Sequence, residues 1–224
     1  MRAKRRRASR VWHGTLFAIV LAALVTQTVL VVQGGTDVNA AAGGGDESTR
    51  VRLVHLFSYF TIQSNLLVLW ASGLLALRPD RDGRAWRVLR LDALLGIVIT
   101  GIVFALVLAP LVHPVGVAWA VNAAFHYLSP AAFLVGWLVF GPRGQVDGGT
   151  AWLAFLWPVA WIAYTFAQGA RTGWYPYPFL DAAALGHPRA ALNTALVLLA
   201  AFCLAALAQW VDRRLRRGRA GARP

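Results

Sequence analysis

Apolar residues dominate six stretches of the chain, roughly 12–33, 53–77, 91–112, 118–140, 151–170 and 190–211. Each holds about 20 residues, or about 30 Å of helix, the thickness of a bilayer's hydrocarbon core. Short polar connections separate them. The pattern predicts an all-α fold: a polytopic membrane protein, a six-transmembrane-helix bundle forming a single transmembrane domain over residues 1–224.

Polar residues interrupt this pattern at particular places. Phe57-Ser58-Tyr59-Phe60-Thr61-Ile62-Gln63-Ser64-Asn65 lies inside the second stretch. Polar groups in hydrocarbon are costly unless they face a protein interior or a wet cavity, so the cluster marks either a contact between helices or a site. Thr61 lies eight residues past Leu53, about 12 Å along the helix. His126 lies eight residues past Ala118 in the fourth stretch, which runs in the same direction, so the two share a depth. Helical spacing puts Ser58, Thr61 and Asn65 on one face, and Asn122 and His126 on another. Thr26, Gln27, Tyr164, Gln168 and Asn193 fall near the same end of their own stretches. These groups are expected to converge on a polar chamber in the outer leaflet, above inner halves packed with Ala, Leu and Val.

Composition supports the membrane reading. The chain is 58% hydrophobic with a mean hydropathy of +0.56, too apolar for a soluble domain. The net charge of +13 suggests nucleic acid until its distribution is considered. Segments 1–11, 78–90, 141–150 and 212–224 carry 18 of the 22 basic residues; the opposite side has only Arg50, Arg52, Arg171 and Arg189. That asymmetry places both termini in the cytoplasm, next to anionic lipid, and argues against a nucleic-acid partner. Arg outnumbers Lys 21 to 1, which points to GC-rich coding and a bacterial cytoplasmic membrane. Cys203 is the single cysteine, so no intramolecular disulfide can form. Lys4 to Arg7, an apolar run and Asn39 to Ala42 imitate a signal peptide. The run exceeds the usual core length, and it is expected to remain as the first span.

Two readings are open at Thr61. Its hydroxyl can bond back to the Phe57 carbonyl, or it can be a nucleophile with a base within reach. His126 is the one histidine deep in a span; it is either a hydrogen-bonded core residue or that base. Asn65, Asn122 and Gln63 suit bonds between helices, and Asn122 could orient the imidazole. Tyr164 and Gln168 could donate to an oxyanion. Asp92 is expected to cap the third helix. No HExxH, CxxC or carboxylate cluster is present, so neither a metal nor another cofactor is implied. In the last outer loop, Trp174, Tyr175, Tyr177 and Phe179 alternate with Pro176 and Pro178. The prolines favour extended or turn geometry, and the segment is expected to fold back over the chamber. An interfacial aromatic belt is the alternative.

The Phe57 to Asn65 segment resembles the signature of a bacterial six-span family, itself similar to the eukaryotic androgen-induced protein and androgen-dependent TFPI-regulating protein. Asn122-Ala123-Ala124-Phe125-His126 with Pro130, Trp157-Pro158 with Tyr164, and Thr172 to Asp181 fit the same family. The resemblance implies a six-span fold. It also implies an intramembrane hydrolase of fatty acid esters of hydroxy fatty acids, with Thr61 as nucleophile and His126 as its partner. Ile62-Gln63-Ser64-Asn65 is more polar than the eukaryotic equivalent. Three function classes follow: a Thr/His lipid-ester hydrolase, a non-enzymatic protein binding a lipid or amphiphile in the same chamber, and a transporter. The third is disfavoured by the apolar inner halves and the lack of inverted repeats. Expected partners are membrane lipids and a hydrophobic ester or amphiphile; no feature sets the oligomeric state.

Overall fold

Apolar runs of this length must close their backbone hydrogen bonds internally, and they do so as helices. The computed structural model describes residues 2–35, 37 and 47–221. Among them there is no strand, and six helices are long and apolar enough to cross a membrane: Ala3–Val32, Phe60–Leu77, Arg84–Leu111, Gly116–Phe140, Gly148–Thr172 and His187–Arg216. The protein is therefore a polytopic, six-span membrane protein. The glycine-rich part of the first loop and the Asn39 to Ala42 stretch lie outside the described residues.

Three spans are single α-helices: α1 (Arg2–Val32), α3 (Phe60–Leu77) and α10 (His187–Gly221). The others are composite. The third joins α4 (Arg84–Val103) to a π-helical turn, Phe104–Leu108, and a 3₁₀ turn, Ala109–Leu111. The fourth joins α5 (Gly116–Ala123) to a π turn, Ala124–Leu128, and then α6 (Ser129–Phe140). The fifth is α7 (Gly148–Ala154) followed by α8 (Leu156–Thr172), interrupted at Phe155. Pro158 explains that interruption, because it has no N–H for the Ala154 carbonyl. The short helices α2 (Thr49–Ser58) and α9 (Ala182–Leu185) flank the spans at the other end from the termini.

The structure corrects two expectations about helix boundaries. The stretch 53–77 is not one helix: Tyr59 is extended, with φ −64° and ψ 132°, and it separates α2 from α3. Asp92 caps nothing. Helix α4 starts eight residues earlier, after Gly83, whose φ of +131° suits only glycine. Asp82 receives the Gly83 N–H instead, and with the paired Arg87 guanidinium this holds its carboxyl down at about 2.

Helix α1 packs along α3 and α6, α3 along α4, and α4 along α6 and α7. The first four spans thus form the dense part of the bundle. Helix α10 rests more lightly on α4, α9 and the 3₁₀ turn Pro178–Leu180, and the sixth span is the least buried. Buried polar contacts lie at the end of the bundle nearest the termini. Arg90 is 3% exposed and donates to Gln145 Oε1 at 2.8 Å and to the Pro142 carbonyl at 3.3 Å. Asp212, 1% exposed, receives the Gly144 and Val146 N–H groups. These bonds tie the 141–146 loop to α4 and α10.

At Gly96, α3, α4 and α8 meet. A Cβ there would lie 2.9 Å from Ser64 Oγ and 2.9 Å from the Trp157 ring. Gly96→Ala is expected to cost about 1–3 kcal/mol by overpacking. Gly148→Ala, where nothing lies within 4 Å, serves as control. Thermal unfolding in detergent tests this; equal midpoints for Gly96→Ala and wild type would contradict the three-helix contact.

Candidate functional site

Breaking a helix inside a membrane leaves backbone groups without partners, and side chains must supply them. At Tyr59 they do. Trp161 Nε1 donates to the Ser58 carbonyl at 2.8 Å, and Gln63 Nε2 donates to the Phe57 carbonyl at 3.1 Å. Gln63 Oε1 in turn accepts from Trp157 Nε1. The Ile62 and Gln63 N–H groups bond to the Tyr59 carbonyl. The Thr61 N–H donates to the Tyr177 hydroxyl oxygen at 3.1 Å. Thr61 therefore sits in the first turn of α3, where free N–H groups and the helix dipole favour negative charge.

The Thr61 side chain does not bond back to Phe57. Its Oγ1 lies 3.5 Å from His126 Nε2 and 3.2 Å from the Tyr177 hydroxyl. His126 Nδ1 lies 3.2 Å from the Asn122 carbonyl. A carbonyl only accepts, so Nδ1 carries the proton and Nε2 presents a lone pair to Thr61. Thr61 O–H then donates to Nε2, and the Tyr177 O–H is left to donate to Thr61 Oγ1. The assigned protons form one consistent chain. Thr61 is 3% exposed and His126 2%.

His126 sits in the π turn of the fourth span, where the Ser129 N–H reaches back five residues to Ala124. Pro130 has no N–H to offer the His126 carbonyl, and the widened turn accommodates the mismatch. Gly101 of α4 admits this backbone: its Cβ would be 3.0 Å from Pro130 Cβ and 3.4 Å from the His126 oxygen. Phe104, in the other π turn, stacks on the imidazole with centroids 3.8 Å apart. Asn65 Nδ2 donates to the Thr61 carbonyl at 2.9 Å and to the Phe125 carbonyl at 3.4 Å, holding the two elements together.

The other predicted groups separate. Ser58 O–H donates to the Val54 carbonyl at 2.6 Å, so the Tyr164 hydroxyl, also at 2.6 Å, donates to Ser58. Neither reaches His126. Gln168 is half-buried on α8 and does not join the pair. The Asn122 amide does not hold the imidazole, because its backbone carbonyl does; its Oδ1 is buried without a partner. Gln27 bonds to Asp37, and Asn193 to the Phe179 carbonyl.

The chamber itself is apolar rather than polar. A narrow, open cavity of about 70 Å³ is walled by α3, α4, α8, α10 and the 177–180 segment. Among the described residues, Thr61, Thr100, Thr194 and Tyr177 bring the hydroxyl groups of its lining. The polar side chains bond mainly to one another and to backbone, which leaves aliphatic and aromatic groups facing the space.

The aromatic loop folds inward. Gly173, with φ +72°, ends α8 and turns the chain. The Tyr175 ring fills a notch at Gly169, where a Cβ would collide with it. Trp174 stacks on His55 at 3.8 Å, and Tyr177, 6% exposed, stacks on Phe179. Tyr177 is the member of the site that residue spacing alone did not single out. The Pro-aromatic alternation signalled the fold-back without indicating which ring goes deepest. No family model, curated protein or solved structure matches the chain.

The loop's anchor is testable. Asn193→Ala removes the donor to the Phe179 carbonyl, a loss of about 1 kcal/mol. Hydrogen exchange at amides 174–181 should then quicken by about fivefold, with α3 and α4 unchanged. Unchanged exchange in the loop would contradict the anchoring role.

Proposed function

We propose that the protein is an intramembrane lipid-ester hydrolase in which Thr61 is the nucleophile and His126 the general base. The observation that carries this reading is the contact between Thr61 Oγ1 and the lone pair of His126 Nε2, beside a largely apolar cavity. The resemblance to the six-span Thr/His hydrolases supports it, as does the apolar lining of the cavity. The basic residues orient both termini to the cytoplasmic side of a bacterial inner membrane.

An ester carbonyl would enter beside Thr61 with its chains in the cavity. Oγ1 attacks the carbonyl carbon as its proton passes to His126 Nε2. The tetrahedral intermediate collapses, the ester C–O bond breaks, and the leaving alkoxide takes the proton from Nε2. Water then attacks the acyl-threonine, giving its proton to Nε2, and the acid leaves as Thr61 recovers the proton. The Thr61 N–H, at the positive end of α3, faces the developing oxyanion. In the resting protein the Tyr177 oxygen occupies that acceptor position. The phenol is thus a latch that the substrate carbonyl displaces. No carboxylate backs the imidazole, which places the enzyme among the slow ones.

A second reading is a non-enzymatic amphiphile-binding protein, favoured by the latch already occupying the donor. Hydrolysis of a panel of lipid esters by purified protein separates the two. Thr61→Val and His126→Ala should each lower kcat/KM by about 10³-fold, and the double variant should cost little more. Thr61→Ser should keep part of the activity. Full activity in Thr61→Val would remove the nucleophile. An inactive but folded wild type would favour the binding protein.

The latch generates its own expectation. Tyr177→Phe removes the competing oxygen and should lower KM by about threefold while turnover is retained. A loss of turnover by about two orders of magnitude would instead make the phenol an essential oxyanion donor.

A further inference from the structure

Six basic residues crowd the start of α1: Arg2, Lys4, Arg5, Arg6, Arg7 and Arg10. Helical spacing divides them. Arg5 and Arg6 share a face with Ser9, and Lys4 and Arg7 lie on the opposite one. The first face borders a cavity of about 270 Å³, completed by Pro79, Asp80 and Phe140. It is several times the size of the cavity beside Thr61, and it lies at the other end of the bundle, where the chain termini are.

Arg5, Arg6 and Ser9 keep donors to spare there. Arg5 Nη2 donates to the Val139 carbonyl in the last turn of α6 at 2.7 Å, which holds the guanidinium in place. Arg6 pairs with Asp80 at 2.6 Å, but each side chain is 62% exposed, so the pair is weak. A guanidinium carries five N–H donors, and these contacts use few of them. Ser9 is 4% exposed. His13 Nδ1 lies 2.8 Å from the Ser9 carbonyl and 3.4 Å from the Ser9 hydroxyl. A carbonyl only accepts, so Nδ1 carries the proton and offers the hydroxyl no lone pair. The Ser9 O–H is therefore a buried donor with no acceptor among the described residues.

Two guanidinium groups against one carboxylate leave this lining net positive. Planar N–H forks beside a hydroxyl donor match the oxygens of a phosphate. The remaining wall is apolar: the Phe140 ring packs beside Trp12, with centroids 6.0 Å apart. Trp12 is 36% exposed and marks the membrane interface. Ser9 lies about 5 Å of helix rise beyond it, at the level of lipid phosphates. Cationic donors above an apolar wall fit an amphiphile better than a small ion. We propose that this cavity binds the phosphodiester of an anionic phospholipid through Arg5, Arg6 and Ser9, with the glycerol and upper acyl carbons against Phe140 and Trp12. Asp80 is a rival for Arg6 that the headgroup displaces. The site is remote from Thr61, and the proposal does not depend on hydrolysis.

Native mass spectrometry of the full chain in a neutral detergent tests it with three lipids of one chain length: phosphatidylglycerol, phosphatidylcholine and diacylglycerol. Wild type should retain phosphatidylglycerol about tenfold more tightly than either of the others. Inorganic phosphate in excess should not displace it. Arg5→Gln combined with Arg6→Gln should bring the three lipids to parity. Lys4→Gln combined with Arg7→Gln removes the same charge from the opposite face and should leave the preference unchanged, which separates a site from general attraction to a basic terminus. Asp80→Asn should tighten phosphatidylglycerol by about threefold although it breaks an ion pair; a merely structural pair would show no gain in binding. Ser9→Ala keeps every charge, serves if the arginine variant fails to fold, and should weaken phosphatidylglycerol by about threefold. Equal retention of the three lipids by wild type, displacement by inorganic phosphate, equal loss in the two double variants, or unchanged binding in both Asp80→Asn and Ser9→Ala would overturn the proposal.

Discussion

The arrangement depends on one local interruption, the loss of helical hydrogen bonding at Tyr59. Inside a membrane, water does not satisfy the groups released there. The Ser58 and Phe57 carbonyls take Trp161 and Gln63, and the Thr61 N–H takes the Tyr177 hydroxyl. Each partner comes from a different part of the chain: α8, the first turn of α3, and the aromatic loop. The break therefore recruits the fifth span and the loop to the second span. It also turns an interior position of a long helix into a helix start, with a threonine in its first turn.

Two π turns complete the setting. The turn at Ala124–Leu128 carries His126, and the turn at Phe104–Leu108 carries the ring stacked on it. Widened turns of this kind recur at functional sites because they re-aim side chains without ending a span. The fifth and sixth spans pack less tightly, which leaves an apolar cavity next to the hydroxyl. Hydrogen bonds and partial charges act more strongly in such a low-dielectric space than in water.

Much of the fold was legible in the sequence, because a membrane demands runs of about 20 apolar residues and these are hard to miss. The six spans lie where hydropathy puts them. Their ends extend further where Arg-rich segments continue a helix, as at Arg84 and Arg213. The pairing of Thr61 with His126 was suggested by equal depth and by the family resemblance, and the two side chains lie 3.5 Å apart. What escaped was set by backbone geometry. The break at Tyr59 has no proline or glycine to announce it, and its partners are distant in sequence. Asp92 looked like a cap because its place beside an apolar run hid the two helical turns of basic residues before it. Asn122 was placed beside His126 correctly, but its carbonyl rather than its amide makes the contact, a distinction that residue identity does not carry. Tyr164 and Gln168 share a face of α8, but Tyr164 meets Ser58 rather than the imidazole.

The central claim is that the Thr61 hydroxyl is activated by the His126 lone pair. The most direct measurement is labelling with a long-chain fluorophosphonate followed by peptide mapping, since phosphonylation requires an activated hydroxyl. One adduct on Thr61 is expected in the wild type, and none in His126→Ala. A wild type that folds but carries no adduct, or carries it on Ser58 or Tyr177, would contradict the account.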